Sequence, residues 1–557
     1  MHHHCRNIFC LLWSDYFFMD SSFLQLSYWL FSLFIYTKPL KFYCMRFITF
    51  LLLSSATGFL ALAQEIIWVR IMMYYTGGGP EVFAYVLGSY LTGIAIGSWW
   101  TRKLCSQKIG SILISRMLFL SCIVFYLSIG LISYFHTLFT GPIIYILVIL
   151  VTVFSGTIFP LLAHFGIKTE QVGQRLSWIY LTNIIGATVG TGITGFYLME
   201  NYSITQIIVF VFTAGLILSL FVSLFSQGSK QLLGYIVITG LIFIFVQQWH
   251  NTIFANFLEK VHYKKDYVLK GNYKFSNENR SGIIATHYNK EIGCDVIYGG
   301  GVYDSCFNVN PDGPNGINRV YAIVKLHPSP KKVLVIGLSS GSWVRALTYS
   351  NLFEKIDVVE INHGYLDLIK HYSEQSKIFK DSRVTIHIDD GRRWLNRNKD
   401  KYDFILMNTT FHWRSYITNL VSSDFLKIIK LHLEPGGIVY YNTTGSEDIV
   451  YTAATIFKHV VKFSSFVAAS DRSFTVDPVI SKSFASTFLN GDKPVLNGTK
   501  AIKNILSNPL PDIREQILSR YDLIEITDDN MAVEYKHKVK HYFNPEMSWE
   551  KMFKRLF

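Results

Sequence analysis

Four short stretches of this chain place polar or acidic residues where the ends of successive strands would carry them. The first is VLVIGLSSGSWVRAL (333–347), an apolar strand-like run that ends in Gly337, with Gly341 following. That spacing lets the backbone turn tightly and approach a ligand, while Ser339 and Ser340 offer hydroxyls where a dinucleotide fold holds pyrophosphate. Half the glycines of the full dinucleotide fingerprint are absent. About twenty residues on, Glu360 closes the run VVE, where an acid accepts hydrogen bonds from both ribose hydroxyls. Asp389, Asp390 and Gly391 close a third run and set an acid and a flexible turn beside the place of an adenine. Asn408 closes a fourth, DFILMN (403–408). One degenerate glycine turn is common, but three such features at successive strand ends point to an adenosine-type ligand.

Elements that could position these residues follow from the pattern around them. The runs KVLVIG, IDVVEI, VTIHI, YDFILM and GIVYYN alternate with helix-length segments from Lys332 onwards, which predicts a doubly wound parallel sheet with ligands at the carboxyl ends of its strands. Before it, GIIATHY (282–288) and DVIYGGGVYD (295–304) alternate like strands of a small antiparallel lid.

The other half is of a different kind. Of 52 Lys and Arg only 12 fall before residue 251, and of 39 Asp and Glu only 6. Apolar runs long enough to cross about 30 Å of hydrocarbon recur there with short connectors. The spans read Phe47 to Ile67, Val82 to Trp100, Ile112 to Tyr134, Ile143 to His164, Ser177 to Leu198, Ile204 to Phe225 and Leu232 to Val246, with a weaker run from Phe23 to Tyr36. MRFITFLLLSSATGFLALA, from Met45, has the form of a chain start, so residues 1–44 are expected to be a mis-assigned upstream extension. The organisation is then a transmembrane helical domain (45–250, about seven helices), a β lid (265–315), a Rossmann-like domain (316–470) and a C-terminal extension (471–557). Glu65 and Arg70 read as an interfacial pair near the end of the first helix, or as a polar site in the bundle. Gly93, Gly97, Gly186, Gly190 and Gly192 form small-residue faces for close helix packing.

Several function classes drop out. No clustered basic stripe with interleaved aromatics marks a nucleic-acid binder, and the basic surplus fits a membrane surface or an anionic ligand. No Cys/His spacing suggests a metal, and His2, His3 and His4 read as incidental. Cys294 and Cys306, the only pair in the soluble half, read as two buried thiols.

Residues 265–445 resemble the spermidine synthase (polyamine aminopropyltransferase) family within the adenosylmethionine-dependent methyltransferase fold. The likeness rests on DVIYGGGVYD (295–304), NRVYAIVKLHPSPKKVLVIG (318–337), VVEIN (358–362), IDDGRRWL (388–395), YDFILMN (402–408), SDFL (423–426) and LEPGGIVYYNTTG (433–445). GFLALAQEIIWVR (58–70), YLTGIAIGSWW (90–100) and ITDDNMAVEY (526–535) are similar to the membrane region and tail of bacterial fused proteins of this kind. The resemblance implies S-adenosylmethionine or its decarboxylated form as co-substrate, an aminopropyl group passed to a polyamine or related amine, and cofactor contacts at Gly337, Ser339, Gly341, Glu360, Asp389, Asp390 and Gly391.

Departures from the family fall on the amine side. The catalytic Asp expected at the end of the fourth strand is Asn408, which cannot take a proton at neutral pH. The Tyr-His-Glu motif survives only as Tyr321, followed by Ala322 and Ile323, and Asp304 stands where the lid's Gln belongs. Asp304, Asp389 and Tyr321 could form a rearranged acidic pocket, or merely close the lid on the sheet. Two other readings use the same residues. Asn408-Thr-Thr-Phe411 loosely matches the Asn-Pro-Pro-aromatic motif of amino-methyltransferases, and a degenerate sensor could regulate the bundle. His412, Trp413 and Arg414 could hold an anionic or aromatic substrate or pack at the sheet's edge.

The expected location is a bacterial inner membrane, with room for a homo-oligomer. Sidedness is in conflict: Arg102, Lys103, Lys108, Lys168, Arg175 and Lys230 fall in alternate loops, which places those loops in the cytoplasm and residue 251 outside. A cytosolic nucleotide cofactor argues for a cytoplasmic soluble domain, and that side is the one expected.

Overall fold

The computed structural model describes residues 42–106, 110–139, 141–167, 172–225, 229–408, 411–530 and 533–536. The weak span from Phe23 to Tyr36, and nearly all of the expected upstream extension, lie outside them.

Among the described residues, seven helices are long and apolar enough to cross a membrane. They are α1 (Phe47–Thr76), α2 (Glu81–Cys105), α3 (Ile112–Tyr134), α4 (Gly141–Gly166), α5 (Val172–Asn201), α6 (Ile204–Leu224) and α7 (Leu232–Ile253). Each answers to one expected span. Leu52, Trp99, Phe196, Ile217 and Ile244 are all more than half exposed on the bundle's outside, a surface that needs apolar surroundings. Inside, Gly93 and Gly97 of α2 lie against Thr152 and Val153 of α4, while Gly186 and Gly190 of α5 lie against Ser55 and Phe59 of α1. A β-carbon at any of the four would collide with its neighbour; at Gly192 nothing lies within 4 Å. Helix α1 continues past Ile67, so Glu65 and Arg70 sit within it rather than near its end. Glu65 is buried, and Arg70 donates from Nη2 to the Asn279 carbonyl of the lid at 2.6 Å.

After α8 (Phe257–Tyr263) the lid is a four-stranded antiparallel sheet: β1 (Phe275–Asn279), β2 (Gly282–Asn289), β3 (Cys294–Gly299) and β4 (Val302–Cys306), in that order. Strand β1 is an addition to the sequence reading. Cys294 and Cys306 are joined in a disulfide, their Cα atoms 6.2 Å apart. The expectation of two buried thiols is therefore corrected: β3 and β4 are adjacent antiparallel strands, and their pairing brings the cysteine that begins β3 beside the one that ends β4.

The large sheet has the order β10-β11-β9-β8-β5-β6-β7. Strands β5 (Lys332–Ile336), β6 (Lys355–Glu360), β7 (Val384–Ile388), β8 (Tyr402–Met407) and β9 (Leu433–Asn442) run parallel. The four interior ones are near-continuous apolar runs because helices cover both faces. Strands β10 (His459–Phe463) and β11 (Phe466–Ser470) add an antiparallel hairpin beside β9, so the sheet is mixed rather than wholly parallel. Their two-residue turn, Ser464–Ser465, lacks the Gly or Asn that usually announces a hairpin. Residues 471–536 do not stand apart: Phe484, Phe488, Ile502 and Ile505 share one core with Val333 and Val335.

The soluble part sits on one end of the bundle. The Tyr74 and Tyr273 hydroxyls bond at 2.5 Å, Glu278 accepts from the Ile204 backbone N–H at the start of α6 at 2.9 Å, and Glu200 at the end of α5 meets His363 at 3.2 Å.

Candidate functional site

Strands β5, β6, β7 and β8 end along one edge of the sheet, where a parallel α/β fold opens its crevice. At the end of β5, Gly337 takes φ +93° and Gly341, which precedes α9 (Ser342–Thr348), φ +71°, conformations that L side chains rarely adopt. A β-carbon on Gly337 would stand 3.3 Å from the Asn408 carbonyl at the end of β8, so the glycine also permits a close pass of two strand ends. Between the two, Ser339 holds φ +49°, a left-handed position that costs a non-glycine residue of order 1 kcal/mol and marks functional turns. Its hydroxyl is buried and faces the Asp304 carboxylate. Ser340 does something else: its Oγ reaches Ser305 at 3.1 Å and the Cys306 carbonyl at 3.3 Å, tying the turn to lid strand β4.

Glu360 ends β6 and is 4% exposed. Its Oε2 accepts from the Leu338 N–H at 2.8 Å and its Oε1 from the Asn362 N–H at 2.8 Å, which locks the carboxylate beneath the glycine turn. Burial pushes its pKa up to about 7, against those backbone donors, and the nearby Asp304 carboxylate raises it further. A carboxylate has about four acceptor directions, so this one keeps room for a ligand hydroxyl.

At the end of β7 the local roles are structural. Asp390 caps α11 (Gly391–Arg397) by accepting from the Arg393 N–H at 2.8 Å. Asp389 accepts from the Asp390 N–H at 2.8 Å and is ion-paired with Arg393. Gly391 lets the cap lie against Ile336, where a β-carbon would be 2.8 Å from its Cγ2. These contacts account for the Asp-Asp-Gly pattern without a ligand, while leaving it beside the crevice.

The lid supplies the other wall. Asp304 on β4 accepts from the Tyr365 hydroxyl at 2.6 Å, and Tyr365 lies in α10 (Gly364–Ile369), the helix after β6. Gly299 makes room for this, since a β-carbon there would strike the Tyr365 hydroxyl. Burial raises the Asp304 pKa, opposed by the Tyr365 hydroxyl, the Arg414 guanidinium and the Ser339 hydroxyl. Tyr365 follows Glu360 closely in sequence and belongs to the site, yet no motif announced it.

Two expectations fail on geometry. Tyr321 is fully buried in the core, its ring edge-on to Phe488 at 5.3 Å and its neighbours Tyr349 and Arg345. Asp389 is engaged with Arg393. The proposed pocket of Asp304, Asp389 and Tyr321 is therefore not assembled, because the three belong to different contact groups; Asp304 instead joins Glu360, Ser339, Tyr365 and Arg414.

Past Asn408, whose N–H donates to the Ile336 carbonyl at 3.2 Å, Thr409 and Thr410 lie outside the described residues. His412 Nδ1 meets Thr444 Oγ1 at 2.5 Å, and Trp413 stacks on Phe411 and packs with Val302 of β4. Arg414 sits between Asp304, Gly300 of the lid and Gly78 of the α1–α2 turn. The Ser415 N–H donates to the Gly78 carbonyl at 2.9 Å, so the bundle itself abuts this loop. From the other side the tail holds it: Glu534 accepts from the Thr418 hydroxyl at 2.7 Å, and Asp528 from the Ser422 hydroxyl at 2.8 Å. Among the described residues no group of three His, Cys, Asp or Glu could hold a metal.

Residues 322–497 match the model of the spermine/spermidine synthase domain. A polyamine aminopropyltransferase of Leptospira interrogans is 22% identical over 413 residues, covering 72% of this chain and 78% of that protein. Another, from Buchnera aphidicola, is 36% identical over 114 residues, covering 20% of this chain and 40% of that protein. A crystal structure of spermidine synthase in complex with the transition state analogue AdoDATO aligns with 44% of this chain and 88% of its own, at 18% identity and a TM-score of 0.37. By the match over residues 322–497 the chain carries a spermidine synthase-type domain, with the helical half before it. Gly337, Ser339, Gly341, Glu360 and Asn408 fall inside the matched range; Asp304 and Tyr321 precede it.

Proposed function

We propose that this chain is a membrane-embedded group-transfer enzyme of the aminopropyltransferase type, which binds adenosylmethionine or its decarboxylated form and alkylates a small-molecule amine. The observation that carries the reading is the assembly of Gly337, Ser339 and Glu360 at one crevice with the Asp304–Tyr365 pair closing it from the lid. The residues suit a nucleoside: a buried carboxylate with acceptor capacity left, a buried serine hydroxyl facing Asp304, and a glycine turn that admits close backbone approach.

In this reading Glu360 accepts hydrogen bonds from the ribose hydroxyls and Ser339 bonds the donor's polar tail. When bound, the donor supplies a sulfonium with an electrophilic carbon beside it. Asn408, at the β8 end, orients the amine through its side-chain carbonyl but takes no proton. The proton passes instead to Asp304, whose affinity for it is raised by burial, as a general base near neutral pH requires. Tyr365 fixes that carboxylate by its hydroxyl. The lid over the crevice excludes water, which would otherwise compete for the donor.

Purified full-length chain in detergent, offered each labelled nucleoside with a panel of di- and polyamines, tests this. Label transferred to an amine is the expected result, and its mass identifies an aminopropyl or a methyl group. Binding without transfer would leave a sensor, and failure of both nucleosides to bind would end the reading.

A further inference from the structure

We infer that the soluble part of this chain, residues 257–536, stands on the non-cytoplasmic side of the membrane, reversing the side expected from cofactor chemistry. Two independent observations carry it.

The first is the distribution of charge between the two ends of the bundle. The soluble part is docked on the end formed by Thr76, Glu81, Tyr134, Asn201, Ile204 and Ile253, as the contacts of Tyr74, Gly78, Glu200 and Ile204 require. The connections at that end, residues 77–80, 135–140 and 202–203, contain no Lys or Arg, and its basic residues, Lys260, Lys264, Lys265 and Lys270, all follow α7 within the soluble part itself. The opposite end is basic. Arg102 and Lys103 lie in the last turn of α2, with the Lys103 ammonium over the Trp99 ring at 5.2 Å. Arg116 is one turn into α3, and Arg175, at the start of α5, lies over Phe47 at the start of α1, 4.9 Å from its ring. In sequence, Lys108 and Lys168 fall in the connections that join these same ends. Short basic loops are retained in the cytoplasm, so the end away from the soluble part is the cytoplasmic one. Arg70, the basic residue toward the other end of α1, is accounted for by its bond to the lid carbonyl of Asn279. Nothing upstream of residue 42 alters this, because basic ends and soluble part are referred to the same helices.

The second observation is the Cys294–Cys306 disulfide in the lid. Such bonds persist in oxidising compartments and are rare where thiol buffers keep cysteines reduced. The two described cysteines of the bundle, Cys105 and Cys122, are free. Charge and redox chemistry therefore select the same side by unrelated physics, and the objection from a cytosolic cofactor concerns only where the nucleoside comes from. Together with the proposed transfer chemistry, this side means that the acceptor amine is drawn from outside the cytoplasm.

The inference rests on membrane residence, not on transfer activity. Full-length chain would be expressed in a bacterium twice, fused after Phe557 to alkaline phosphatase, which folds only in an oxidising compartment, and to green fluorescent protein, which fluoresces only when made in the cytoplasm. Carbonate extraction of the untagged chain comes first, because a chain released from membranes would overturn residence itself. For the membrane-retained chain, an active phosphatase fusion, a dark fluorescent one, and cleavage within residues 257–536 by protease added to spheroplasts are expected. Alkylation under denaturing, non-reducing conditions should leave the peptides of Cys294 and Cys306 joined, whereas Cys294→Ser/Cys306→Ser removes that link and keeps the protease pattern. A fluorescent fusion with a protected soluble part, or freely alkylated Cys294 and Cys306 in the native chain, overturns it.

Discussion

Two corners of one crevice are built in different ways. At the ends of β5 and β6, Gly337, Ser339 and Glu360 hold one another through backbone bonds spanning little more than twenty residues, with Glu360 gripping the Leu338 N–H directly. At the end of β8 and the lid, Asn408, Asp304, Tyr365 and Arg414 come from three distant segments, and Gly78 of the bundle and Asp528 and Glu534 of the tail press on the same loop. The first corner keeps the residue types that the resemblance to spermidine synthases implies for a nucleoside site. At the second corner Asn408 stands where that resemblance implies an acid, and the carboxylate present is Asp304 of the lid, bonded to Tyr365. A locally closed motif tolerates little change, while a corner assembled from remote parts can be rebuilt by changing which part supplies the carboxylate.

The largest test of that division is Asp304→Asn. If Asp304 takes the proton, transfer in a single-turnover assay falls by roughly 10²- to 10⁴-fold while donor affinity stays within about twofold; an unimpaired rate would return the acceptor corner to mere lid closure. The Glu360 carboxyl contributes a pH signature. Its ordinary value is 4.5 and its folded value about 7, so between these the fold keeps a proton that the unfolded chain has released. The corresponding stability is fully present below about pH 4.5 and is lost as pH rises through 7, about 3 kcal/mol in all. Thermal unfolding in detergent should show that decline, and Glu360→Gln should flatten it. Glu360→Ala weakens nucleoside binding by roughly 1 to 3 kcal/mol, read by calorimetry, if its charge-assisted bonds to ribose exist; unchanged affinity would detach Glu360 from the ligand. The smallest effect sharpens the edge of the nucleoside corner: Asp390→Ala costs about 1 kcal/mol of stability as a lost helix cap, with no change in affinity. A fall in affinity at equal stability would instead put Asp390 on the adenine.

Much of the architecture was legible in the residues themselves. Seven apolar runs became seven helices, and five apolar runs became five parallel strands, because burial on both faces leaves a strand no polar alternation and lipid leaves a helix none either. The β10–β11 hairpin was not legible, since its Ser-Ser turn carries no conformational signal and its pairing partner β9 is already a strand in its own right. Within the site, the glycine turn and Glu360 could be read because their partners lie close in sequence. Tyr321 went to the core instead, because a motif position says nothing of which way the short helix Asn318–Tyr321 turns its side chain. Tyr365 escaped notice because its role exists only once lid strand β4 lies over α10.

The sequence alone therefore determined the two halves, the strand order along the chain and the glycine turn with Glu360, all set by local periodicity and short-range backbone bonding. Tertiary structure alone decided the partner of Asp304, the pairing of Cys294 with Cys306 and which end of the bundle carries the soluble part, because each depends on segments that meet in space and are far apart along the chain or separated by a turn whose geometry the residue types leave open.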